Sequence, residues 1–246
     1  MASLGNPLVE ECAEGVFRLG TTYVGFYLLF EGGKYTLVDS GLPGYWDQLT
    51  SFLDGRGHSI DDIEAQVLTH HHMDHRGNSE RLREAGAPAR IHHIDAPFLE
   101  NEAPPPKAPL WRLPVLRYLG HLVKNKAMKT RSLTEYTIYD DNELLDVPGR
   151  PRAVHVPGHT MGHCSMYLGE QKAVLAGDAL GGMDAYTEAI GPCLAPSFVN
   201  DDDQLALESL TRLESLDADK VLVVHGPNFY GPIAEAVALA RKAAAT

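Results

Sequence analysis

The chain has three cysteines in 246 residues, two tryptophans and no apolar run approaching the length of a membrane span. Cys12, Cys164 and Cys193 are an odd set without paired spacing, which excludes a disulfide framework and points to a reducing, cytoplasmic setting. Without about 18 consecutive apolar residues there is no spanning helix, so no stable membrane insertion is expected. Met1 to Asn6 has neither a basic start nor an apolar core, so no secretory signal is expected there. Basic residues are also scarce. The 21 Lys and Arg face 33 Asp and Glu, for a net charge of −12. A body of that sign disfavours nucleic acid, whose phosphates are held by basic surface. No Gly-x-Ser-x-Gly motif supplies a serine nucleophile. At 44% hydrophobic residues the chain is neither disordered nor fibrous. Histidine, by contrast, is plentiful, with 12 residues unevenly spread.

Short apolar segments alternate with helical ones. Val16 to Leu19, Tyr23 to Phe30 and Tyr35 to Val38 read as strands, with Glu31-Gly32-Gly33-Lys34 as a hairpin turn. Ala65 to Leu68, Ala89 to His92, Ala153 to Val156, Ser165 to Leu168, Ala173 to Leu175 and Val221 to Val224 read as further strands. Helices are expected at Leu42 to Leu53, at Gly77 to Ala85 before Gly86, at Asp202 to Leu216 behind an Asn200-Asp201 cap, and at Ile233 to Lys242. Strands mixed with helices suit a layered α/β sandwich spanning 1–246 as a single domain.

One segment differs in composition. From Ala103 to Thr134 there is no Asp or Glu, while Lys107, Arg112, Arg117, Lys124, Lys126, Lys129 and Arg131 give +7, leaving −19 elsewhere. After a proline-rich entry, Leu116, Leu119, Leu122 and Val123 recur at helical spacing. The segment reads as a helical insertion. One reading is a lid whose Trp111, Leu116 and Leu119 cover an apolar group; the others are a packed helix, a dimer contact or a membrane-surface element.

The chemistry concentrates in Thr69-His70-His71-His72-Met73-Asp74-His75, directly after a buried strand. His70 and His72, one residue apart in an extended loop, project the same way, and Asp74 and His75 add an oxygen and a nitrogen; a borderline cation such as zinc accepts this mixture. A solvated polar loop would explain the histidines but not Asp74 or the strand. In Val154 to His163, His159 follows a Pro157-Gly158 turn, and His163 is a ligand, a support for one or a core residue. His155 reads as a packing residue and His71 as a bystander. Asp178 and His225 each end an apolar run. Alone, each is an ordinary turn former.

In this order the blocks Leu37-Val38-Asp39-Ser40-Gly41, His70-x-His72-x-Asp74-His75, Pro157-Gly158-His159-Thr160-x-Gly162-His163, Gly177-Asp178 and His225 resemble the metallo-β-lactamase superfamily over about residues 16–230. The resemblance implies a four-layer αββα sandwich, with the 103–134 insertion as an addition to it. It implies two divalent ions: His70, His72 and His159 on the first, Asp74, His75 and His225 on the second, and Asp178 bridging. Zinc is the expected metal, with manganese, iron or cobalt as alternatives. Asp39 would support the site without touching metal. A bridging hydroxide would be the nucleophile, and Asp74 would orient it and return a proton to the leaving group.

Within the superfamily, Asp178 separates the chain from the true β-lactamases, and the 21 residues after His225 leave no room for the helical domain of glyoxalase II-like thioesterases. The expectation is therefore a hydrolase of a carboxyl-derived bond in a small-molecule substrate, lactone or small ester first. A thioester hydrolase and a mononuclear iron enzyme of the sulfur-dioxygenase kind are the alternatives, and a homodimer is compatible with the sequence.

Overall fold

The computed structural model describes residues 4–100 and 109–245; the first part of the insertion, 103–108, lies outside them. A seven-stranded sheet runs in chain order through β1 (Leu8–Ala13), β2 (Val16–Gly20), β3 (Gly25–Glu31), β4 (Lys34–Val38), β5 (Ile63–Val67), β6 (Ala89–His92) and β7 (Tyr136–Tyr139). Its first four strands pair antiparallel and β4 to β7 pair parallel. The β3–β4 hairpin closes through Gly32 and Gly33, both at positive φ, in register Glu31 to Lys34. That is the two-residue turn whose twist matches the strands.

The second sheet contains β8 (Arg152–His155), β9 (Cys164–Leu168), β10 (Ala173–Gly177), β13 (Lys220–Val223) and β14 (Phe229–Tyr230), in the order β14-β13-β10-β9-β8. A small hairpin of β11 (Gly181–Met183) and β12 (Ile190–Cys193) sits apart. The helices are α1 (Trp46–Asp54), α2 (Ser79–Glu84), α3 (Leu113–Lys124), α4 (Asp203–Ser209), α5 (Thr211–Glu214) and α6 (Ile233–Ala244).

Alternation along the strands builds four layers. In β3, Phe26 and Leu28 join Leu49 and Leu53 of α1 and Leu82 of α2, while Tyr27 and Leu29 face the other sheet. In β10, Ala173 and Leu175 meet that inter-sheet core, whereas Val174 and Ala176 pack on Leu213 of α5 and Val237 of α6. Successive side chains on a strand point to opposite faces, so each central strand serves two cores. The result is the expected αββα sandwich.

Three differences from the sequence reading have local causes. β1 and β7 were not expected: Val9 and Ile138 are exposed, so neither strand shows a buried apolar run. The helix expected over Asp202 to Leu216 is divided into α4 and α5. Its N-cap is Asp202, whose carboxylate accepts from the Leu205 N–H at 2.9 Å, rather than Asn200 or Asp201, because Asn200 is engaged elsewhere.

Candidate metal centre

Every candidate ligand stands just beyond the carboxyl end of a strand. Asp39 follows β4, His70 to His75 follow β5, His159 follows β8, Asp178 follows β10 and His225 follows β13. Strand ends fix the backbone while the loops turn the side chains inward. At Asp39 the chain turns with φ +60, a left-handed conformation that aspartate tolerates.

His70 Nε2 lies 3.1 Å from His72 Nδ1, and His159 Nε2 lies 3.0 Å from the same atom. The protons on two of the rings are fixed on the far side. His70 Nδ1 donates to Thr69 Oγ1, whose hydroxyl donates on to Asp39, and His159 Nδ1 donates to Asn200 Oδ1 at 2.9 Å. The inward nitrogens of His70 and His159 are therefore bare, and His72 can supply at most one hydrogen to the pair of contacts. Three imidazole nitrogens converging in this way form the donor set of a cation.

Asp74, His75 and His225 make a second triad, with ligand-capable atoms within 4.8 Å of one another. His75 Nδ1 donates to Asp39 Oδ2 at 2.8 Å and His225 Nδ1 to the Tyr23 carbonyl at 2.5 Å, which again turns both Nε2 atoms inward. Asp178 stands between the triads. Its Oδ2 is 3.3 Å from His159 Nε2 and 3.3 Å from His225 Nε2, and its Oδ1 is 3.3 Å from His75 Nε2. His75 Nε2 and Asp178 Oδ1 are buried without a hydrogen-bond partner. With its proton on Nδ1, His75 presents a lone pair at Nε2, and two buried lone-pair atoms facing one point without a hydrogen between them fit a bound metal.

The electrostatics agree at the first triad. Burial, then neighbouring imidazoles, hold His70 and His72 well below the ordinary histidine value, which is the neutral state a ligand needs. Burial lowers His159 as well, against the pull of Asp178. At His75 burial works downward, but Asp178, Asp39 and Asp74 outweigh it and raise the ring well above its usual value. Burial would raise Asp178, yet His225, His75 and His159 bring it well below the carboxylate range.

Of the supports around the triads, His163 was expected from the sequence and Asp95, Arg18 and Tyr118 were not. Asp95, fully buried, accepts from the His71 N–H and His71 Nδ1 at 3.1 and 3.0 Å and from Thr160 Oγ1 and the Gly162 N–H at 2.7 Å each. It fastens the His70–His75 loop to the His159 loop, so His71 is a fastening residue rather than a bystander. A Cβ on Gly162 would sit 2.5 Å from Asp95 Oδ1, which is why glycine is required there. Buried Arg18 donates through Nη2 to the Val224 and Gly226 carbonyls on either side of His225. His163 accepts the Asp178 N–H through Nε2 at 2.9 Å, a support rather than a member of either triad. Tyr118 of α3 donates its hydroxyl to Asp74 Oδ2 at 2.7 Å.

Beside the centre is an open cleft. Tyr23, Val115, Met183, Leu194, Phe198 and Val199 line it. Glu188 is its only charged lining residue apart from the candidate ligands, and no Lys or Arg lines it among the described residues. The insertion reaches the cleft through Pro114, Val115 and Tyr118. Trp111 and Leu116 do not cover it: Trp111 is 84% exposed and Leu116 faces outward. The helix turns Val115, Tyr118 and His121 inward, a stripe one residue out of phase with the one its leucines suggest. Arg117 pairs with Glu188 at 2.8 Å and ties α3 to the β11–β12 hairpin. Tyr186 packs edge-on to Phe198, whereas Tyr230 bonds Glu10 away from the cleft.

The sequence pattern of the metallo-beta-lactamase superfamily matches residues 20–225. A "Probable metallo-hydrolase" of Bacillus subtilis is 26% identical over 231 residues, covering 88% of this chain and 85% of that protein. A "Hydroxyacylglutathione hydrolase" of Ectopseudomonas mendocina is 28% identical over 140 residues, 56% of this chain and 40% of that protein. Among solved structures, a metallo-beta-lactamase family protein of Thermus thermophilus superposes with TM-score 0.67 at 26% identity, over 92% of this chain and 77% of that one.

Proposed function

The chain belongs to the metallo-β-lactamase superfamily of metal-dependent hydrolases, and from that premise we propose that it holds two divalent ions, zinc by preference, and hydrolyses a neutral lactone or small ester with an apolar acyl group. The observation that carries the substrate class is the cleft, which is apolar and has no Lys or Arg among its described lining residues, beside seven converging candidate ligands. A phosphodiester, a β-lactam carboxylate or a glutathione thioester would find no Lys or Arg among the described lining residues to hold its charge beyond the metal centre. A neutral ester loses little on entering.

In this reading His70, His72 and His159 would hold one ion and Asp74, His75 and His225 the other, with Asp178 available to both groups. The ions would supply an activated water and polarise the scissile carbonyl. The remaining steps belong to the chain. The acyl group lies against Val115, Met183 and Phe198 and excludes water from the carbonyl. Tyr118, kept a neutral phenol by burial and then by Asp74, orients the Asp74 carboxylate. Asp74 takes the proton as the water oxygen bonds to the carbonyl carbon. It returns that proton to the departing oxygen when the ester C–O bond breaks.

The thioester reading has one observation in its favour, the similarity to the hydroxyacylglutathione hydrolase. Metal analysis beside a panel of lactones, thioesters, phosphodiesters and a β-lactam separates the readings. Two divalent ions per chain and a preference for lactones are expected. One iron per chain with oxygen consumption overturns the hydrolase reading, and a thioester preference replaces the lactone. Asp178→Ala should lose bound metal and hydrolysis together; a fully active variant refutes the bridging role.

A further inference from the structure

The outward face of α3 has no work in the site. Fourteen large apolar side chains are exposed among the described residues, and six of them, Leu110, Trp111, Leu113, Leu116, Val123 and Met128, fall within 110–128. Trp111, Val123 and Met128 are each more than 70% exposed. Leu113, Leu116, Gly120 and Val123 follow helical spacing along one side, opposite the Val115, Tyr118 and His121 stripe that anchors the helix. A Cβ on Gly120 would meet nothing within 4 Å. The helix is thus apolar on both sides, and only the inner side is packed.

Charge identifies the occupant. The same stretch has no Asp or Glu. Arg117 and Arg131 pair with Glu188 and Glu84, while Lys124, Lys126 and Lys129 are exposed or half-exposed at the C-terminal end of α3 and just beyond, with no ion pair among the described residues. An isologous contact with a second copy through this same stretch would offer the lysines no carboxylate, because the stretch has none. An anionic lipid surface meets both features, since its headgroups attract the lysines and its acyl boundary receives Trp111, Leu116 and Val123. The acidic remainder of the chain is screened within about 8 to 10 Å at physiological salt. Among the described residues no helix is long and apolar enough to cross a membrane, so the contact lies in the headgroup plane.

We infer that the outer face of α3, with Leu110 and Trp111 before it and Met128 after it, docks the protein on an anionic bilayer. Because Pro114, Val115 and Tyr118 of the same helix line the cleft, docking would set the cleft one helix thickness, about 10 to 12 Å, from the lipid. The inference does not depend on which bond is cleaved.

Vesicles of phosphatidylcholine alone, and with phosphatidylglycerol added, test it by co-sedimentation and by tryptophan emission. Binding confined to the anionic vesicles, a blue shift lost in Trp111→Phe, and release by high salt are expected. Lys124→Glu with Lys129→Glu should weaken binding at least about fivefold per lysine removed. Leu116→Ser with Val123→Ser, both on the unpacked side, should weaken it about tenfold or more while the circular dichroism and melting temperature stay as in the parent. Failure to bind anionic vesicles, or binding unchanged in these variants, overturns the inference. So does concentration-dependent dimerisation abolished by the leucine–valine pair without any vesicle binding.

Discussion

Asp95 offers the sharpest quantitative test of how the centre is held. It accepts four hydrogen bonds: the Gly162 N–H on Oδ1, and the His71 N–H, His71 Nδ1 and Thr160 Oγ1 on Oδ2. Burial alone would raise its pKa, but the bonds from His71, Thr160 and Gly162 outweigh that and leave the carboxyl below the ordinary aspartate value. In Asp95→Asn the amide oxygen can keep the three Oδ2 bonds, which turns the NH₂ group toward the Gly162 N–H. The Gly162 N–H then lacks an acceptor and faces the amide's own N–H donors, at about 1 to 3 kcal/mol, and the other bonds lose their charge assistance. A total near 3 kcal/mol is about 1 M in urea midpoint for an m-value of about 3 kcal/mol/M. That is survivable within a stability of roughly 5 to 15 kcal/mol, whereas Asp95→Ala strands every donor and approaches the whole. Because Asp95 joins the loops that carry His72 and His159, Asp95→Asn should also weaken metal binding about 10- to 100-fold, measured by competition with a chromophoric chelator. A destabilised Asp95→Asn protein that binds metal as tightly as the parent would refute the fastening argument.

Other expectations follow from single contacts. Tyr118→Phe removes a bond to a charged carboxylate worth about 1.5 to 3 kcal/mol, so kcat/KM should fall roughly 10- to 150-fold at unchanged metal content; undiminished turnover would remove Tyr118 from the mechanism. His121, bonded to Tyr45 Oη at 2.6 Å, is lowered to about 4 by burial and then by Lys124. The unfolded ring titrates near 6.5, so between about 6.5 and 4 the unfolded state takes up a proton that the folded state refuses. Stability should therefore fall through that window as pH drops, and melting curves of His121→Gln should fall less. The thiols of Cys12, Cys164 and Cys193 are buried and raised by burial, Cys12 to about 11 and Cys193 to about 12. A thiol reagent at neutral pH should label the native protein slowly and the denatured protein at all three; fast native labelling would contradict the packing.

Much of the fold was legible because central strands carry unbroken apolar runs, as in β3 and β10, and because Gly32-Gly33 and Gly86 mark turns. β7 was not, since Tyr136–Tyr139 becomes a strand through parallel pairing with β6 rather than through its own pattern. The histidine blocks were legible because ligands cluster in sequence beside strand ends. Apart from Asp39 and His163, their supports were not. Asp95 lies 20 residues beyond His75 with nothing local to mark it, and Asn200 resembled a helix cap although it bonds His159. Tyr118 was hidden by a helix whose two sides are both apolar, so that only the packing of Tyr118 and His121 against Tyr23 reveals which one faces the centre.

The two sheets are built from successive stretches of chain, the first ending at Tyr139 and the second beginning at Arg152. His70, His72, Asp74 and His75 come from the first stretch, and His159, Asp178 and His225 from the second. An ion held by His72 and His159 consequently ties residues 87 apart in sequence. In polymer terms it is a reversible cross-link between the two halves of the molecule, comparable in loop entropy with a disulfide worth about 4 to 5 kcal/mol. Neither half alone owns a complete binding site. Tight metal uptake is thus a signal that both halves have folded and met, and a chelator acts on the seam between them as well as on the chemistry.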